Sequence, residues 1–145
     1  MATVRALRDG CIDSGTSWSP VGPHRHSRHS PPTTTAVPAG SCLRLNHTAQ
    51  ALTEFNNLGP QVAAADARAS FAVLQASEQR LQGDAAFAKL PAMAAVQRTW
   101  QALDSAYRQQ PSGAGVVALQ QQLHERKHAY RIALNGLIVS ITCQP

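Results

Sequence analysis

The chain has 145 residues, room for one domain by the usual length prior. It is 14% charged and 43% hydrophobic. Ala supplies much of that apolar share and buries little area per side chain, which argues against a thick core and for thin helical layers that borrow a partner's surface. The net charge of +5 divides into +3 over residues 1–45 and +2 over residues 46–145, the latter from eight basic and six acidic groups without a run. The cationic stripe of a phosphate-tracking surface is missing, so direct nucleic-acid binding is not expected.

In chain order, the first segment is "TSWSPVGPHRHSRHSPPTTTAVPAG", rich in Ser, Thr, Pro, Gly and His. It has too few apolar residues to offset its conformational entropy, which predicts a disordered tail over 1–45 and a helical domain over 46–145. From Asn46 the text turns helical. Leu52, Phe55 and Leu58 recur at helical spacing, with Asn46 or Thr48 as N-cap and Gly59-Pro60 as the stop. A second helix is predicted from about Gln61 to Gln82 on the stripe Val62, Ala67, Phe71, Leu74 and Leu81, ending at Gly83. Asp84 then caps a third segment to about Gln110 that carries Phe87, Leu90, Val96, Trp100, Leu103 and Tyr107, and Pro91 must kink or restart it.

"QQPSGAG" reads as a turn. The last helix is predicted from about Val116 to Ile141. Val116, Leu123, Tyr130 and Leu137 are seven apart, with Leu119, Leu134 and Ile141 beside them. At about 100° per residue these lie within about 40° of one line, a narrow seam suited to a helical hairpin or coiled-coil partner. The fold class is therefore all-α: an extended hairpin of three to four helices behind the tail. The seam of Val116, Leu119, Leu123, Tyr130, Leu134 and Leu137, with Phe87, Leu90, Trp100 and Tyr107, is expected to pack on itself and then on a second chain. The partner is a further copy or another helical protein.

Inside the last helix, "HERKH" spells H-E-x-x-H, in which two His on one helical face bind zinc and the Glu activates water. With Leu123 as origin, His124 and His128 fall at about 100° and about 140°, on the flank and back of the helix. No third ligand follows, and Arg126 and Lys127 between them disfavour a divalent ion. The motif reads as a solvated helix face rather than a protease. His24, His26 and His29 read as an unliganded tract, Cys143 as an inert thiol, and Trp100 and Tyr130 as packing anchors. No phosphate loop or acid–base pair occurs. The sequence thus points to a non-enzymatic protein, with no cofactor or metal and no small-molecule substrate.

Cys11, Cys42 and Cys143 are scattered and odd in number. A disulfide framework uses an even, dense set, so reduced thiols in the cytoplasm are expected. No apolar run approaches membrane-spanning length, and "MATVRALRDGCIDSG" lacks the apolar core of a secretory leader.

The stretch "FAVLQASEQRLQGDAAFAKL" resembles the YlbF/YmcA family of small bacterial all-α regulatory proteins. Leu74, Ser77 (in place of an Ala), Leu81, Asp84 and Leu90 keep the family's spacing. Gln97, Pro111, Val116 and Leu119 continue it, and Tyr130, Ala133 and Leu137 match its closing helix after a deletion of about five residues. The family's N-P-x-x-x-x-Y element has no counterpart here. The resemblance implies a helical hairpin acting through a homo- or hetero-oligomeric complex, in control of RNA processing or developmental programmes. A second likeness is to type III secretion needle subunits. It runs through Pro111, Ser112, Val116, Ala118, Gln120, Leu123, Tyr130, Arg131 and Ala133, and it implies a self-assembling filament subunit.

Overall fold

The computed structural model describes residues 33–145. The expected tail as far as residue 32, with Cys11, His24, His26 and His29, lies outside the described residues. The rest is all-α: α1 (Ala39–Asn56), α2 (Ala64–Gln82), α3 (Pro91–Arg108) and α4 (Val116–Val139), with two short strands, β1 (Thr35–Val37) and β2 (Ile141–Cys143). Among the described residues no helix is long and apolar enough to cross a membrane.

The hairpin expectation holds in doubled form. α1 packs on α2, α3 packs on α4, and α4 also touches α1. Aromatic residues from all four helices join the two hairpins. The Phe71 ring from α2 meets Phe55 of α1 edge-on, centroids 5.2 Å apart, and stacks on Tyr107 and Trp100 of α3 at 3.7 and 5.7 Å. Trp100 reaches Tyr130 of α4 at 5.4 Å. Such pairs add roughly 0.5–1.5 kcal/mol each beyond the area they bury, so a few large rings supply the core that the Ala-rich helices lack.

Element boundaries move in three places. α1 begins at Ala39, so the expected boundary at 45/46 falls inside a helix. Its buried stripe runs Ser41, Cys42, Leu45, Thr48, Leu52 and Phe55. The small polar members Ser41 and Thr48 hide the periodicity from an apolar count, and the Thr48 hydroxyl is satisfied by the Arg44 carbonyl at 3.0 Å. Pro91 restarts the chain rather than kinking it. Residues 84–90 form turns with the Phe87 ring buried, and Pro91 opens α3 at a first-turn position that has no N–H to satisfy. α4 stops at Val139, and Ile141 enters β2 instead of extending the helical seam.

β1 and β2 pair in parallel, Thr35 with Ile141, Ala36 with Thr142 and Val37 with Cys143. Thr35 N–H donates to Ser140 O and Gln144 N–H to Val37 O, both at 2.9 Å. Beside this ladder, Cys42 at the start of α1 is disulfide-bonded to Cys143. The bond overturns the expectation of reduced thiols, and Cys143 is not a free thiol. Two cysteines 101 residues apart give no spacing signal, because only the meeting of the two ends of the described chain brings them together. In the loop-entropy account, closing about 100 residues stabilises the fold by roughly 4–5 kcal/mol.

Candidate functional site

The residues expected to form an intermolecular seam are spent inside the chain. Val116, Leu119, Leu123, Tyr130, Leu134 and Leu137 are all buried, as are Phe87 and Trp100, while Leu90 and Tyr107 are partly buried against the same core. All of them belong to, or pack against, one hydrophobic core built by this chain alone. The physical reason is that four short helices need every stripe to close one small core. Leu74 and Leu81 of the family pattern are likewise core residues.

Asp84 has a structural task. Its Oδ1 accepts the Ala86 N–H at 3.0 Å, and its Oδ2 takes the Arg44 guanidinium at 2.6 Å, which ties α1 to the α2–α3 turn. Burial raises the pKa of this carboxyl. The Ala86 N–H, Arg44 and the Ser41 hydroxyl outweigh that and hold it below the ordinary carboxylate range.

Two charged residues fill gaps in the apolar stripes. In α2, Glu78 stands between Leu74 and Leu81 on the buried face and is fully buried. The Tyr130 hydroxyl donates to its Oε2, and Gln82 Nε2 donates to its Oε1 at 2.9 Å. Burial dominates over both hydrogen bonds and pushes the Glu78 carboxyl up to about 7. The Tyr130 phenol is pushed well above its ordinary value by burial and by the neighbouring carboxylate.

In α4, Lys127 stands between Leu123 and Tyr130 and is only 6% exposed. Its Nζ donates to Gln120 Oε1 and lies 5.7 Å from the centre of the Phe55 ring. Burial lowers its basicity. Both residues were legible in principle: a seven-residue stride between apolar anchors leaves a position three or four residues along on the same face.

The outer surface of α4 has two characters. His124, Lys127, His128 and Arg131 follow one another at i, i+3, i+4 and i+7, one helical face. With Asn56 at the end of α1 they line an open cavity of about 220 Å³. The two histidines are exposed, as expected, but the fold gathers cations that looked dispersed along the sequence. Further round the helix, Ile132 and Val139 are 56% and 70% exposed, on either side of Gly136. A β-carbon built on Gly136 would meet nothing within 4 Å.

No group of three or more His, Cys, Asp or Glu side chains comes together among the described residues. Among the described residues, then, His124 and His128 have no third such side chain beside them. Compared with known protein families, with curated proteins and with solved structures, the chain matches none.

Proposed function

We propose that this chain is a non-enzymatic helical interaction protein that works as an oligomer through the outer face of α4. One observation carries the reading: Ile132 and Val139 stay largely exposed on the longest helix, flanking Gly136, while every stripe expected to meet a partner is consumed internally. A two-fold contact uses the same patch on both copies, and Gly136 leaves room for a facing helix to approach closely. Half to two-thirds burial of Ile132 and Val139 on each copy contributes roughly 4–7 kcal/mol gross. Association itself costs about 4 kcal/mol or more. The surplus is at most about 3 kcal/mol, which is a reversible dimer in the millimolar range or weaker, with Ile132→Asp abolishing it and the helical signal unchanged.

The likeness to the YlbF/YmcA family supports a regulatory role within such a complex, in RNA processing or a developmental programme. It names no contact residue, because Leu74, Leu81 and Asp84 serve the fold. The needle likeness is the weaker reading, because the Val116, Leu123 and Tyr130 that carry it are buried within the chain. The Cys42–Cys143 bond favours a disulfide-permitting compartment over the reducing cytoplasm that the cysteine count suggested. Thiol labelling of the protein taken from its own cells under acid quench tests this. Labelling of Cys42 and Cys143 without a reductant would contradict it.

A further inference from the structure

We infer that the cavity between the end of α1 and the His124–Lys127–His128–Arg131 face of α4 binds a phosphate group, as free inorganic phosphate or as the head of a phosphomonoester.

Among the described residues, Lys127 and Arg131 have no anionic partner. The two salt bridges among the described residues are Arg44–Asp84 and Arg108–Asp104, and neither involves Lys127 or Arg131. Lys127 is nevertheless drawn out of water, which is costly for an ammonium group without a counter-charge. Arg131 repeats its charge four residues on, an arrangement that slightly destabilises a helix. Burial of the ammonium group and the like charge beside it both oppose this grouping, and an anion in the cavity would reverse the sign of both effects.

The donors are also set for one. Gln120 occupies one of the three N–H groups of Lys127 and leaves two. Arg131 Nη2 lies 3.1 Å from His128 Nδ1. A guanidinium can only donate, so Nδ1 accepts and the ring proton sits on Nε2, where it is a donor for something else.

Size and charge select the ligand class. The cavity is smaller than the roughly 300–1,000 Å³ of pockets that enclose drug-sized molecules, so it suits a small group or the end of a longer one. A planar carboxylate is saturated by a single guanidinium fork. Lysine, arginine and imidazole donors along two turns of helix suit a tetrahedral group with several oxygens and about two charges. The competing explanation is purely structural: Lys127 lies against the Phe55 ring near the carbonyl end of α1, where a cation is favourable.

The test is independent of the α4 apolar stripe, since a monomer can bind phosphate equally well. The full oxidised chain is titrated with inorganic phosphate and, separately, with glycerol phosphate at fixed ionic strength, by calorimetry and by amide and imidazole NMR shifts. Saturable binding is expected, with shifts centred on residues 124–131 and Asn56. Arg131→Gln, at an exposed position, is expected to weaken it at least tenfold, as is Lys127→Met, whereas Arg80→Gln, on α2 and away from this cavity, is expected to leave it unchanged. The tighter of the two titrants identifies the source of the group. No saturation by tens of millimolar of either would overturn the proposal, as would an Arg131→Gln variant that binds like the parent chain. So would a Lys127→Met variant whose loss of thermal stability is the same with and without phosphate.

Discussion

The buried carboxyl of Glu78 makes a quantitative expectation possible. Its pKa rises from an ordinary 4.5 to about 7 on folding, because burial outweighs the hydrogen bonds from Tyr130 and Gln82. The folded state then holds a proton that the unfolded state releases. A carboxyl shifted upward contributes stability that is present below the unfolded value and is lost as pH rises toward the folded one. A shift from 4.5 to about 7 corresponds to about 3 kcal/mol between the acidic and the neutral-to-alkaline limits. Between about pH 5 and about pH 8 the loss is about 2–3 kcal/mol. Glu78→Gln keeps the shape and can still bond to Tyr130 and Gln82, but it has no charge to bury. Urea unfolding of both proteins at the two pH values gives the double difference directly. The variant is expected to gain on the parent chain by about 2–3 kcal/mol more at the alkaline value than at the acidic one. Parallel stabilities at both pH values would refute the reasoning and mean that the carboxylate reaches water in the folded state.

Other expectations follow from single contacts. Cys42→Ser together with Cys143→Ser should cost about 2–5 kcal/mol by denaturant titration and should loosen the β1–β2 ladder first, seen as faster amide exchange at Gln144. Tyr130→Asp places a second carboxylate beside Glu78 in the core, so the chain should unfold rather than merely dissociate, with loss of helical circular dichroism even in dilute solution. Asp84→Asn removes the charge that pairs with Arg44. Because that carboxyl is held below its ordinary 3.8, its contribution is present above 3.8 and lost as pH falls through the lower folded value, so the variant should flatten the acid limb of the stability profile. His124→Ala, on an exposed position, should shift the unfolding midpoint by no more than about 0.5 kcal/mol.

How far the sequence could be read depends on what each residue signals locally. The α4 seam was plain, because Val116, Leu123, Tyr130 and Leu137 repeat at a period only a helix provides, and all four are core. The wet placement of His124 and His128 followed from the same wheel. The early start of α1 was hidden because Ser41, Cys42 and Thr48 bury small or polar groups whose satisfaction depends on neighbours. Glu78 and Lys127 were passed over because charge normally marks the outside. Their burial depends on Tyr130, Gln82, Gln120 and Phe55, which only the fold assembles. The parallel strands and the disulfide join the two ends of the described chain and leave no local trace at all. The gathering of Lys127, Arg131 and the two histidines around Asn56 needed both α4's wheel and α1's true end.

The claim that matters most is that α4's outer face, and not its buried seam, is where this protein meets its partner. Light scattering on the full oxidised chain through a concentration series from micromolar to millimolar tests it, with Ile132→Asp and Val139→Asp run beside the parent. The account requires a monomer–dimer equilibrium in the parent and monomers at every concentration in both variants, with circular dichroism unchanged. A parent chain that stays monomeric throughout, or variants that associate as well as it does, would contradict it.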